Sequence, residues 1–208
     1  MKKVKHFLAR VVVKTVQTLH HSYARIHLYK LKGEFGHIGV NAFIEDPSNV
    51  MNPQCISIGD NFTARAGLKL RAYTSWEGTV FDPVLSIGNN VHLATDCTIN
   101  CTHRIEIHDN TAIGASSKLM DHAHGLPGYE DLGTLVMKRV LTSKGSVVIR
   151  ENVMIGAGVV VLAGVEIGEN SIIGSNSVVT RSIPPNSIAA GIPARVLKTI
   201  SLPGKLPA

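Results

Sequence analysis

The chain has 208 residues, enough for one domain with a real core and too few for two large ones. Aromatic side chains make up only 5% of it while glycine takes 19 positions, which disfavours a sandwich or helical core filled by large side chains and suits stacked layers of small β-branched residues. The formal charge is +6, but no stacking-aromatic motif or nucleic-acid module accompanies it, so a nucleic-acid partner is excluded from the expectations.

Residues 1–35 form a basic segment expected to be helical. Val4, Leu8, Val11, Thr15 and Leu19 recur at helical spacing, while Lys2, Lys3, Lys5, Arg10, Lys14, Arg25, Lys30 and Lys32 crowd a stretch without Asp or Glu. Such a helix either covers the open end of a repeat structure or lies on an anionic membrane surface. Arg10 and Lys14 interrupt its apolar part, and no small-residue cleavage site follows, which argues against a secretory signal or a membrane span. The three cysteines, Cys55, Cys97 and Cys101, lack zinc-type spacing and fit inert thiols in a reducing compartment. The expected location is cytoplasmic, with a peripheral contact at the inner face of the membrane through the basic helix.

From Gly36 the period becomes six. Ile38, Ile44 and Val50 begin it, Ile58, Ala64 and Leu70 repeat it, and Ile87, Leu93, Ile99 and Ile105 follow, then Ile107, Ile113 and Leu119. The longest run is Ile149, Ile155, Val161, Ile167, Ile173 and Val179, and glycine follows the aliphatic residue in pairs such as Ile155-Gly156 and Ile167-Gly168. This is the signature of a hexapeptide-repeat β-helix, in which three six-residue sides make one triangular coil around an aliphatic stack. Residues 36–200 are therefore expected to be one all-β solenoid, with residues 201–208 a loose tail. Steps of 20 residues from Ile38 to Ile58 and from Ile87 to Ile107, against 18 from Ile149 to Ile167, place two extra residues at one corner of the early coils. Larger excursions fall near 71–83 and 125–145, and insertions of that length are more often functional than incidental.

The second excursion begins at Asp121-His122-Ala123-His124-Gly125. Two imidazoles at spacing i, i+2 in an extended segment point the same way and can each move a proton near neutral pH.

Several segments carry a family resemblance: Ile149-Arg150-Glu151-Asn152-Val153-Met154-Ile155-Gly156-Ala157-Gly158, the run Ile173 to Asn186, and Ala190-Gly191-Ile192-Pro193-Ala194-Arg195-Val196. Together they resemble the hexapeptide-repeat acyltransferases, in particular the maltose and galactoside O-acetyltransferase branch with its colanic-acid and capsule-biosynthesis members. The resemblance implies a left-handed parallel β-helix and a homotrimer with sites between subunits. It also implies acetyl-coenzyme A as co-substrate with no metal, and a histidine general base acting on a hydroxyl of a saccharide acceptor. A polysaccharide or lipid-linked precursor is the expected acceptor. Counting coils without a gap puts that base on His124, with His122 as its neighbour for substrate contact or as the base itself. The same match assigns coenzyme contacts to Ala157, Ser175, Thr180, Arg181, Arg195 and Lys198, and substrate contacts to Asp96, Asp121 and Met154. Met154 stands where relatives usually carry Trp in a Val-Trp-Ile-Gly segment, so a different cleft wall is expected. The competing expectations are an acetyltransferase for a xenobiotic or amino-sugar acceptor, a γ-carbonic-anhydrase-like metalloenzyme using His92, His103, His108, His122 and His124, and an inactive scaffold.

Overall fold

The six-residue period becomes a triangular coil. A computed structural model describes residues 10–16, 33–45, 48–125 and 131–200. It is all-β, a left-handed parallel β-helix of three long sheets. The first sheet stacks His37–Ile38, Ile56–Ile58, Val84–Ile87, Arg104–Ile107, Val147–Ile149 and Glu166–Ile167. The chain then passes to the second sheet, which starts at Phe43–Ile44, and to the third, which starts at Asn49–Met51, before returning to the first.

The inward positions are the periodic aliphatics. Ile38, Ile58, Ile87, Ile107, Ile149 and Ile167 pair in register down the first sheet. Leu93, Ile113, Ile155 and Ile173 line the second, and Leu70, Ile99, Leu119, Val161 and Val179 the third, all buried. A parallel stack puts like above like, so burial of each layer supports the next.

The corner between the first and second sheets is turned by asparagine. Asn41, Asn61, Asn90, Asn110, Asn152, Asn170 and Asn186 all hold φ between 55° and 59°, a left-handed conformation that asparagine tolerates better than other residues bearing a side chain. Their amides bond from coil to coil, as in Asn61 to Asn90 and Asn90 to Asn110, both 3.0 Å.

The corner between the third and first sheets is where regularity ends. Leu70 to Ile87 is interrupted by the first excursion, whose Ser75–Trp76 and Thr79–Val80 strands make an antiparallel hairpin. Its turn, Glu77-Gly78, has positive φ at both positions, as a two-residue hairpin turn requires. The next coil spends its two extra residues at the same corner, around Thr102 and His103. In the coil after that, Ala123–His124 pairs antiparallel with Leu141–Thr142 to open and close the second excursion. Three consecutive coils therefore stack their irregular segments along one edge. Residues 126–130 of that excursion lie outside the described residues.

Residues 10–16 are helical. The remainder of the expected N-terminal helix, including Val4, Leu8 and Leu19, and the 201–208 tail lie outside the described residues. Among the described residues no helix is long and apolar enough to cross a membrane. The solenoid finishes with a hairpin of Ser187–Gly191 and Ala194–Thr199 added to the second sheet.

Candidate active site

The widened turn after Cys101 directs backbone N–H groups inward. They converge on Asp121, whose side chain has no exposed surface. Thr102 N, His103 N and Arg104 N donate to its carboxylate at 2.9, 2.8 and 2.9 Å. The Thr102 hydroxyl adds a bond at 3.1 Å and Cys101 Sγ one at 3.4 Å. Burial alone pushes the Asp121 carboxyl up, but the bonds from His122, from the His103 and Thr102 backbones and from Cys101 together outweigh it and hold the group below the ordinary carboxylate value. Burial and then the Asp121 charge push the Cys101 thiol well up, so it stays a protonated donor.

His122 completes this ring. Its Nδ1 lies 2.9 Å from Asp121 Oδ1, and only 9% of its side chain is exposed. An ionised carboxylate can only accept, so Nδ1 must carry the proton and Nε2 is left with the lone pair. The geometry is that of an oriented imidazole base backed by a buried carboxylate.

Aromatic rings form the wall beside it. Tyr73 meets His122 edge to face at 5.6 Å, Trp76 meets His124 likewise at 5.2 Å, and Tyr73 and Trp76 are 6.5 Å apart. Trp76 Nε1 donates to Arg139 O at 3.0 Å, and Lys138 pairs with Glu77 at 3.2 Å, so the two excursions are tied together over the site. A cavity of about 380 Å³ is lined by His122, Ala123, Thr142, Lys144, Leu162, Ala163 and Thr180. It runs down the same edge across successive coils. Gly164, next to the lining residue Ala163, lets two coils approach closely: Gly164 N donates to Gly145 O at 3.0 Å, φ is +76°, and a Cβ there would stand 2.9 Å from Lys144 O.

The expected residues divide between places in the fold. His122, His124 and Thr180 share the edge between the third and first sheets, with Arg181 exposed next to Thr180. Asp121, an expected substrate contact, is there too, as a carboxylate enclosed by six donors, without exposed surface and bonded to His122. His124 is exposed and packs on Trp76. Asp96, Ala157 and Ser175 lie on the corner between the second and third sheets, Asp96 stacked over Gly67 and Ser175 over Gly156. Met154 is 57% exposed on the outer face of the second sheet, while Arg195 and Lys198 are exposed on the terminal strand. His92 stands on the second sheet, and His108 is bound to Glu106 and Glu151, so these two stand apart from the His122 edge. Among the described residues no group of three His, Cys, Asp or Glu could hold a metal ion.

Tyr73, Trp76, Thr142 and Lys144 fall inside the two excursions expected to be functional, and Thr102 at the widened turn, but no spacing or motif singles out any of the five individually. The presence of the only tryptophan inside an insertion was the one signal that could have pointed to Trp76.

The edge between the third and first sheets thus carries a carboxylate-backed histidine beside a cavity that crosses successive coils, and comparison with known proteins identifies the class as acyltransferase. The bacterial transferase hexapeptide model (six repeats) matches residues 146–181. WbbJ of Escherichia coli (strain K12), by name a lipopolysaccharide biosynthesis O-acetyl transferase, is 32% identical over 167 residues, covering 78% of this chain and 81% of that one. A galactoside acetyltransferase solved with coenzyme A is 30% identical with a TM-score of 0.56, covering 82% of this chain and 68% of that one. AntD from Bacillus cereus, an N-acyltransferase solved with dTDP and 3-hydroxybutyryl-CoA, shares the fold at 24% identity and a TM-score of 0.71, covering 86% and 89%. The chain belongs to the hexapeptide-repeat transferase family.

Proposed function

We propose that this protein transfers the acetyl group of acetyl-coenzyme A to a hydroxyl of a saccharide destined for a surface polysaccharide or a lipid-linked precursor, with His122 as general base. The carrying observation is the bond from His122 Nδ1 to a fully buried, ionised Asp121. An amine acceptor is already nucleophilic once neutral. A hydroxyl is not, and it needs a fixed base of this kind.

The His122 Nε2 lone pair takes the acceptor hydroxyl proton as the oxygen attacks the thioester carbonyl. The tetrahedral intermediate collapses with cleavage of the carbon–sulfur bond. The departing thiolate recovers the proton from the imidazolium, leaving an ester and free coenzyme A. Asp121 holds the imidazole and stabilises its charge without itself taking the proton. The thioester end enters the cavity beside His122, with Lys144 and Arg181 towards the phosphates. This moves the base from His124, which coil counting favoured, to its neighbour.

Ala157, Ser175 and Met154 reach such a site only if a second copy brings its own corner against this edge, which supports the homotrimer. The helix at 10–16 sets Arg10 and Lys14 on one side and Val12, Val13 and Val16 on the other, all exposed, and the first 32 residues lack acids. This supports a cytoplasmic enzyme touching the anionic inner face of the membrane. Deleting residues 1–32 is expected to abolish flotation with phosphatidylglycerol vesicles, and unchanged flotation refutes that contact.

The base assignment is tested by measuring acetyl transfer in single variants. His122→Ala should lower kcat by about a hundredfold to ten-thousandfold, while His124→Ala should keep kcat within several-fold. The reverse pattern restores His124 as the base.

A further inference from the structure

The aromatic wall is not a core feature. Phe62, within the solenoid, has no exposed surface, whereas Trp76 and Tyr73 remain partly exposed at the edge. Trp76 is held there by three independent contacts. Its Nε1 is used by Arg139 O, its ring meets His124, and the turn beyond it is pinned through Glu77 to Lys138. An indole whose polar handle is already bonded offers a ligand only its ring surface.

We infer that Trp76, flanked by Tyr73, is the stacking platform for the pyranose ring that is acetylated. This rests on the acyltransferase reading above and names the part of the acceptor that the site recognises. A pyranose presents an apolar face of polarised C–H bonds, and an aromatic face carries the complementary negative charge. Its hydroxyls radiate from the ring edge. A sugar lying on the Trp76 ring, with the Tyr73 ring standing at 85° to it as a side wall, turns hydroxyls towards the two imidazoles, whose centroids lie within 5.6 Å of one or other aromatic ring. Position selects the sugar over a nucleotide base. In a nucleotide-linked acceptor the base is separated from the sugar by a diphosphate and a ribose, too far away to stack against the histidines while the sugar reacts. His124, exposed and next to Trp76, is placed to bond a second hydroxyl and fix which one faces His122.

Because Trp76 is the only tryptophan, its emission reports on this platform in the unmodified chain. Titration with the methyl pyranosides of glucose, galactose and rhamnose should change that emission saturably for at least one of them, and UDP and dTDP should leave it unchanged. Trp76→Ala should raise the KM for that glycoside about tenfold while leaving the KM for acetyl-coenzyme A unaltered, and Trp76→Phe should recover most of the loss. Emission silent to every glycoside, or responsive only to the nucleotides, overturns the platform. The two readings fail separately. Acetyl transfer with a silent Trp76 removes the platform alone, whereas a sugar-responsive Trp76 with full activity in His122→Ala removes the base assignment alone.

Discussion

Asp121 contributes in two ways that one substitution separates. In Asp121→Asn the amide NH₂ would replace an oxygen in a pocket where the Thr102, His103 and Arg104 N–H groups all point at the carboxylate, and of these residues only the Thr102 hydroxyl can turn to accept from it. One donor is then left facing another, at a cost of about 1–3 kcal/mol, measurable as a lower denaturant midpoint. The same change removes the charge opposite His122, so kcat should fall even for the folded fraction. The pH dependence follows from the lowered carboxyl. Its folded value is below the unfolded one, near 3.9, so its stabilisation is complete above that value and is lost as pH falls through the folded one. Wild-type stability should therefore drop more steeply below about pH 4 than that of Asp121→Asn. Parallel acid-unfolding curves for the two proteins would contradict the buried-charge account.

Among the elements, regular coils were legible and the edge was not. The stack from Ile149 to Val179 could be placed from the sequence because burial along a parallel sheet enforces one aliphatic every six residues, and the pairing of Ile149 with Ile167 follows that count. The two extra residues of the early coils were likewise countable. What they do was hidden, because the inward-facing amides of Thr102, His103 and Arg104 depend on backbone direction and leave no side-chain pattern. The choice between His122 and His124 had the same origin: a coil count locates a coil, whereas the proposal for His122 rests on a hydrogen-bond partner that no count reveals. Trp76 and Arg139 are 63 positions apart, a contact set by how two insertions fold over each other. Gly164 belongs to this hidden class, since its spacing resembles that of other corner residues while its φ and its closeness to Lys144 are particular. Gly164→Ala forces an alanine into the left-handed region, costing about 1–2 kcal/mol, and pushes the Lys144 carbonyl away. A raised KM for acetyl-coenzyme A, with the KM for the acceptor little changed, is the expected signature. Equal changes in both constants would mean that the cavity beside Gly164 does not hold the coenzyme.

At the scale of the molecule, the prism separates the residues assigned to the proposed site. His122, Thr142, Lys144 and Thr180 occupy one edge, while Ala157 and Ser175 occupy another, with a whole sheet between them. The homotrimer proposed above would resolve this, because a heterologous contact repeated three times would bring the second edge of each copy to the first edge of its neighbour. Met154 and Ile172, 57% and 39% exposed on the second sheet, lie beside the edge that this arrangement would bury. Mixing defective chains tests this geometry. His122→Ala removes the base from one edge, and Ser175→Trp obstructs the other with a bulky side chain. On the trimer proposal, each variant alone should be nearly inactive while light scattering gives the mass of three chains for it and for the wild type. Refolded together in equal amounts, they should regain about one quarter of wild-type activity, because half the first edges and half the second edges are intact and associate at random. If each site lay within a single chain, every chain in the mixture would still carry a defect and no activity would return.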